Sequence, residues 1–145
     1  MTRYRLSEFE IELGAEWLIE SAAAQLVAHD REDAELVVSA ARLDGEGPEV
    51  GLAIAKAKLV ANACAAAELA MANPELTVTQ PLTCMVSDGV ARWRGVALTK
   101  DHQVFFGQAI CEGRASVVIL TFEGPNAETA GLRFEKVCDS VKAVR

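Results

Sequence analysis

The two histidines are the first residues to consider for chemistry at neutral pH, and both lie at predicted turns. His29 precedes Asp30, and His102 follows Asp101. An adjacent carboxylate can orient an imidazole for acid or base catalysis. Such neighbours are also common at hairpin tips, so the pattern favours surface turn residues. A small-ligand binder or hydrolase that uses Asp101 and His102 is therefore the weakest function considered for this chain.

Serine and cysteine nucleophiles lack the neighbours that would activate them. Ser87 and Ser116 have no matching histidine, and no G-x-S-x-G turn is present. The four cysteines are widely spaced and form no C-x-x-C pair. Each lies inside an apolar run; they are Cys64, Cys84, Cys111 and Cys138. We expect reduced, buried thiols, although the spacing leaves two disulfides open. The sequence predicts no catalytic residue, no metal site and no cofactor.

The run Arg92-Trp93-Arg94 on a predicted strand is more suggestive of function. Successive side chains of a strand point to opposite faces, so the two arginines share one face. They either pair with the acidic first strand or contact a partner, because arginines and aromatic residues are enriched in interface hot spots. The candidate partner-binding residues are Trp17, Arg92, Arg94 and Phe106.

The acidic face of the first predicted strand is an alternative binding surface. Apolar residues at positions 9, 11 and 13 alternate with Glu8, Glu10 and Glu12. This period of two is typical of a half-buried strand with one solvated face. The pattern favours a solvated face over an acid–base pair, but the three glutamates could also mimic the charge of a toxin's substrate.

The elements predicted to position these residues form an α+β fold with an antiparallel sheet. N-terminal strands are predicted at 9–13, 24–28 and 35–43, and a long alanine-rich helix at 49–73, before Pro74. A four-strand meander follows at 76–86, 90–99, 103–111 and 115–122, with Pro81 at an edge or a bulge. An amphipathic helix begins after Asn126. We expect both helices to pack on the sheet in a single domain over residues 1–145.

Composition limits the classes of partner. The 145 residues include 21 acidic and 14 basic side chains, and the net charge of −7 disfavours a protein that binds nucleic-acid phosphates. The longest apolar stretch, 50–72, is mostly alanine and carries charges, so we predict no stable membrane insertion. The first residues lack a signal-peptide pattern. We expect a cytoplasmic protein.

Short sequence features spread over almost the whole chain resemble those of a known fold family. Tyr4-Arg5-Leu6 opens a strand segment that ends in Leu13-Gly14-Ala15-Glu16-Trp17, and Asp88-Gly89 and Glu112-Gly113-Arg114 form turns; the last helix contributes Phe134, Val137, Ser140 and Val141. With these features the chain resembles the PsbP-like fold, which includes small bacterial DcrB-type proteins. It is most similar to the cytoplasmic branch that accompanies type VI secretion effectors. The resemblance implies a non-enzymatic homodimeric chaperone or adaptor for hydrophobic N-terminal effector segments.

Two protein-binding functions remain open on this basis. A chaperone would bury an apolar helix of its cognate effector in a groove on the sheet, driven by about 25 cal/mol per Å² of apolar surface buried. An immunity protein of similar size and charge would instead neutralise a cognate toxin through the acidic face. The chaperone should bind an N-terminal apolar segment of its partner, whereas the immunity protein should bind a C-terminal toxic domain.

Overall fold

The computed structural model describes residues 2–6, 8–22, 25–30, 34–42, 65, 68, 69, 72, 76–87, 90–99, 102–112, 116–125 and 127–143. The described elements include one helix with defined bounds, α1 (Ala127–Ser140). The strands are β1 (Thr2–Leu6), β2 (Phe9–Leu13), β3 (Leu18–Ala22), β4 (Gln25–His29), β5 (Glu35–Arg42), β6 (Leu76–Ser87), β7 (Val90–Thr99), β8 (His102–Glu112), β9 (Ser116–Pro125) and β10 (Lys142–Ala143).

The strands form two antiparallel sheets. The large sheet has seven strands in the order β3-β4-β5-β9-β8-β7-β6, and the small sheet has the order β1-β2-β10. The predicted meander is confirmed, because β6, β7, β8 and β9 pair consecutively. Strand β6 lies at an edge, and its register shifts between Val78 and Gln80 and between Gln80 and Thr83. Pro81 therefore occupies the kind of position expected of a proline in a sheet.

Several elements differ from the prediction. The strand segment expected to open at Tyr4 and run to Leu13 is divided into two antiparallel strands, β1 and β2. The short strands β3 and β10 were not predicted, and β9 extends to Pro125, past the predicted end at residue 122. Alternate residues of β9 stay buried through Gly124, so the ladder continues where turn-forming residues suggested its end. The long helix over 49–73 is not supported. Within that range only four residues are described: three are helical and the amide of Ala72 donates to the Glu68 carbonyl at 3.0 Å. The rest lies outside the described residues.

The core lies between α1 and one face of the large sheet. Alternate residues of β4, β5, β8 and β9 face the helix, as the strand period requires. The side chains with the least exposure include Leu26, Leu36, Leu120, Phe122 and Phe134. The small sheet closes this core from the side, because the apolar residues of β2 are also buried, as their alternation predicted.

An aromatic cluster holds α1 close to the sheet at a glycine. The Phe134 ring lies 5.8 Å from the Phe105 ring and 6.2 Å from the Phe122 ring, measured between centroids. Directly beneath it is Gly107, where an added Cβ would lie 2.8 Å from Phe134 Cδ1. Close approach of the helix to β8 therefore requires a residue without a side chain at position 107.

Replacement of Gly107 with Ala should lower the free energy of unfolding by about 1–3 kcal/mol, because the new methyl group overpacks the contact with Phe134. Guanidinium chloride unfolding curves would measure the loss. The same substitution should cost much less in a Phe134→Ala background, where the ring is absent. An equal cost in both backgrounds would contradict the assigned contact.

Candidate partner-binding surface

Arg92 connects the sheet to α1. Its Nη1 donates to the Glu135 carboxylate at 2.6 Å, and its Nη2 donates to Asp139 at 2.8 Å. Burial alone would lower the pKa of Arg92, but the hydrogen bonds that its guanidinium donates to the carboxylates of Asp139 and Glu135 raise the pKa overall. The predicted pairing of Arg92 with the acidic first strand is wrong. Its partners are on α1, so its guanidinium has a structural role in the free protein.

Arg94 and Phe106 lie on neighbouring strands, in the centre of the meander. Arg94 pairs with Gly107 in the β7–β8 ladder, but its side chain lies outside the described part of the structure. Phe106 pairs with Gly95 and Glu123, and its side chain is partly exposed. It is one residue from Phe105, which faces α1, so Phe106 lies on the opposite face of the sheet. Partner contact by both residues stays a prediction.

Trp17 is a core residue with only 7% of its surface exposed. Its ring meets the Phe122 ring edge-on at 5.8 Å, and the Arg133 guanidinium lies 4.9 Å from its centroid. The buried Asp30 carboxylate pairs with Arg133 and accepts a hydrogen bond from the Ala34 amide at 2.9 Å. The ring therefore offers little surface to a partner. Sequence reasoning missed the Asp30–Arg133 pair, because Asp30 was interpreted as a polar turn residue.

The region next to Trp17 contains a small cavity of about 220 Å³ between the β2–β3 connection and α1. Small-molecule sites typically measure about 300–1,000 Å³, so this cavity is below the usual size for a cofactor or a substrate. Its wall carries charges of both signs and therefore favours neither an anion nor a cation. The lining residues are Glu12, Leu13, Gly14, Glu16, Trp17, Arg133, Lys136, Val137 and Ser140.

The acidic face of β2 is balanced by neighbouring groups. Glu12 forms an ion pair with Arg3 at 2.8 Å, and Glu8 accepts a hydrogen bond from Ser116 at 2.8 Å. Glu10 lies between two basic positions in the ladder, with Arg5 on β1 and Lys142 on β10. The surface is therefore of mixed charge, and the expected strip of unbalanced negative charge is not formed.

The described residues do not form a catalytic arrangement around a histidine. His29 Nδ1 lies 3.0 Å from Glu20 and its Nε2 lies 3.5 Å from Glu35, so both ring nitrogens face carboxylates. The side chain of His102 lies outside the described part of the structure. Among the described residues, no cluster of three or more potential metal ligands occurs, and no helix has the length and apolarity to cross a membrane.

The face of the large sheet that points away from α1 combines apolar side chains with one unsatisfied polar atom. We call this surface the outer face. Gln108 lies at its centre, where its Nε2 donates to Thr121 Oγ1 at 3.3 Å. Its Oε1 is buried and has no hydrogen-bond partner among the described residues. Leu18 and Val78, on the two edge strands, are 62% and 39% exposed. The outer face includes two fully buried apolar residues, Ile110 and Val117. Its partly exposed apolar residues are Val27, Val37, Val104, Phe106 and Ile119.

Removal of Arg133 should strongly destabilise the protein. Arg133→Met should lower the free energy of unfolding by about 3–5 kcal/mol, because the buried Asp30 carboxylate would lose its counter-charge. The double variant Asp30→Asn and Arg133→Met should recover part of this loss. Urea unfolding at neutral pH would compare the variants, and an unchanged stability of Arg133→Met would contradict the buried pair.

The thiols of Cys111 and Cys138 should not react in the folded protein. Burial raises the pKa of Cys111 to about 11 and also raises the pKa of Cys138, so little thiolate forms at pH 8. Iodoacetamide labelling followed by peptide mass spectrometry should modify both residues only after unfolding in urea. Rapid modification of either residue in the native protein would contradict the predicted burial of its thiol and would be consistent with a nucleophilic cysteine.

Comparison with known proteins identifies the fold. No family model and no curated protein matches the chain. The structure is similar to the cyanobacterial PsbP protein (CyanoP) of Synechocystis sp. PCC 6803, with 14% identity, 98% of this chain and 91% of that chain covered, and a TM-score of 0.54. It is also similar to the Ran-binding protein Mog1p of Saccharomyces cerevisiae, with 10% identity, 99% and 95% covered, and a TM-score of 0.55. The chain therefore has the PsbP/Mog1-like α+β fold.

Proposed function

We propose that this protein is a non-enzymatic accessory factor that binds an apolar segment of a partner protein on its outer face. The observation that supports this function is the set of partly exposed apolar side chains on the outer face, which surround the buried amide oxygen of Gln108. Apolar side chains provide the driving force for association when a partner removes them from water. The Gln108 amide oxygen favours a partner that carries a hydrogen-bond donor opposite this residue.

The Gln108 amide oxygen is informative because a buried acceptor without a hydrogen bond lowers the stability of the folded protein. A buried polar atom without a partner destabilises a protein by about 1–3 kcal/mol, and native structures contain few of them. Because this atom is buried in the free protein, a bound segment would satisfy it only when the Gln108 side chain turns towards the segment's N–H or O–H group. Local violations of this kind are expected at functional sites. The outer face therefore has the features of a binding surface on which a partner supplies the hydrogen bond that the Gln108 amide oxygen lacks.

The partner in our proposal is an exported effector of the type VI secretion kind. The protein would act in the cytoplasm as a chaperone or adaptor, a single domain over residues 1–145 that covers a hydrophobic N-terminal segment before export. Two observations support this assignment: the sequence resemblance described above, and the similarity of the fold to Mog1p, which is a Ran-binding protein. The second observation shows that a protein with this fold can bind another protein.

An immunity protein receives less support from the structure. That alternative depended on an acidic surface at Glu8, Glu10 and Glu12. Instead, Glu12 pairs with Arg3, Glu8 bonds to Ser116, and Glu10 has basic neighbours on both adjacent strands. A mixed surface of this kind cannot mimic a polyanionic substrate, so the chaperone function is preferred.

Co-expression with the product of the neighbouring gene tests the proposed function. The N-terminal and C-terminal halves of that product would be produced separately, each with an affinity tag. We expect this protein to co-purify with the N-terminal half alone. Co-purification with the C-terminal half and loss of its toxicity would establish the immunity function, and binding to neither half would overturn both.

Substitution at Gln108 should separate stability from binding. Gln108→Leu should raise the midpoint of thermal unfolding, because it removes an unsatisfied buried acceptor and keeps a similar volume. The same variant should bind the N-terminal half at least about fivefold more weakly, as expected from the loss of one hydrogen bond. Differential scanning fluorimetry and calorimetric titration would measure the two effects.

Thr129→Leu is the matched control for this variant, since it adds an apolar side chain at an exposed position of α1, away from the outer face. It should leave the affinity unchanged. A Gln108→Leu protein that binds as tightly as the original would contradict the assigned role of the amide.

A further inference from the structure

The cavity next to Trp17 has walls that are held in place by hydrogen bonds. In the β2–β3 connection, the Trp17 amide donates to the Gly14 carbonyl at 3.3 Å and closes a turn. On the other side, the Ser140 hydroxyl of α1 donates to the Val137 carbonyl at 2.7 Å and accepts a hydrogen bond from the Glu12 amide at 3.3 Å. Strand β2, the turn and the helix therefore form one frame around the cavity.

The interior of this cavity suits a small molecule with an apolar part. Three buried apolar side chains contribute to its lining: Leu13, Trp17 and Val137. Its volume of about 220 Å³ equals that of about seven water molecules, at about 30 Å³ each. A ligand of this size has about ten non-hydrogen atoms or fewer. This limit excludes a nucleotide but admits a single amino acid.

Two of the four charged residues in the lining already have counter-ions. Glu12 forms its ion pair with Arg3 at 2.8 Å, and Arg133 pairs with the buried Asp30 carboxylate. These two residues contribute to the stability of the walls, and their charges are balanced within the protein.

The other two charged residues, Glu16 and Lys136, are available to a ligand. Both line the cavity and are exposed, so we call this pair the rim. Neither side chain forms an ion pair or a hydrogen bond with any residue in the described part of the chain, and the two do not pair with each other. The rim therefore presents one negative and one positive charge next to an apolar interior.

Gly14 determines where the Glu16 carboxylate lies. A Cβ added at Gly14 would overlap Glu16 Oε2 and would lie 2.8 Å from Glu16 Cδ. The carboxylate therefore folds back against the turn, at the cavity, and a side chain at position 14 would displace it.

We propose that this cavity binds a free α-amino acid with a small apolar side chain. The ammonium group of the ligand would face Glu16, and its carboxylate group would face Lys136. A rim with one charge of each sign is complementary to a zwitterion, because both ligand charges gain a charge-assisted hydrogen bond. The apolar side chain would be removed from water against Leu13 and Trp17. The cavity is on the α1 side of the large sheet, away from the outer face, so the inference does not depend on the proposed function.

Titration of ¹⁵N-labelled protein with L-leucine, followed by NMR, tests the proposal. The amide signals of residues 13–17 and 136–140 should shift and reach saturation by about 10 mM, since a ligand with so few atoms binds weakly. Two analogues that are smaller than leucine serve as comparisons. 4-Methylpentanoate lacks the amino group and 3-methylbutylamine lacks the carboxyl group, so each should bind at least about tenfold more weakly.

Substitutions at the rim should separate the two charges. Glu16→Gln and Lys136→Met should each weaken leucine binding at least about fivefold, through the loss of a hydrogen bond to a charged group. Only Lys136→Met should also weaken the binding of 4-methylpentanoate, which has no ammonium group. Glu128→Gln and Lys142→Met are the matched controls, because they remove exposed charges of the same kinds outside the cavity, and both should bind leucine like the original.

The absence of any shift with leucine would overturn the proposal. Equally tight binding of either analogue would also overturn it, because the cavity would then be a site for a simple anion or a simple cation. An unchanged leucine affinity in both rim variants would have the same consequence. Thermal unfolding midpoints would confirm that each variant remains folded.

Gly14→Ala provides a second measurement that leaves both rim residues in place. The added methyl group should displace the Glu16 carboxylate and weaken leucine binding about as much as Glu16→Gln does. It should leave the binding of 4-methylpentanoate unchanged. An equal loss for both ligands would contradict the assigned contact between Glu16 and the ammonium group.

Discussion

Close contact between Phe134 and the backbone at Gly107 sets the position of α1 on the large sheet. The ring lies where a side chain at position 107 would be, so the helix can approach β8 more closely than an alanine would allow. Two ionic contacts secure the helix on either side of this point. Arg92 reaches Glu135 and Asp139 from β7, and Arg133 reaches the buried Asp30 at the end of β4. Trp17 is buried next to this pair, with its ring against Phe122 and beneath the Arg133 guanidinium.

This arrangement assigns different roles to the two faces of the sheet. The face towards α1 is closed by aromatic packing and ion pairs, and its side chains serve stability. On the outer face, several apolar side chains are partly exposed around the buried Gln108 amide oxygen, which accepts no hydrogen bond from the part of the chain that the structure describes. In the proposed function this surface binds a partner, and the burial of apolar area supplies most of the free energy of association.

Local patterns predicted much of the fold because strand periodicity depends on neighbouring residues only. The alternation around Phe9 and Leu13, the meander, the edge position of Pro81 and the amphipathic C-terminal helix were all confirmed. The candidate site was predicted less well. Periodicity showed that Arg92 needed a partner, but its partners lie 43 and 47 residues away on α1, and local pattern cannot choose between distant carboxylates. Trp17 was chosen for its aromatic side chain, but its ring is buried against Phe122 and Arg133, which are distant in the sequence.

The amino-acid sequence by itself determined the fold class, the antiparallel strands of the meander and the acidic balance of the chain, since these follow from composition and short-range periodicity. It also contained no local motif for catalysis or metal binding. Only the tertiary structure decided which face each element covers, that basic neighbours balance the glutamates of β2, and that Gln108 is left with an unsatisfied acceptor. These features arise when residues far apart in the chain share a buried environment, where the energy of a polar group depends on neighbours that sequence spacing does not reveal.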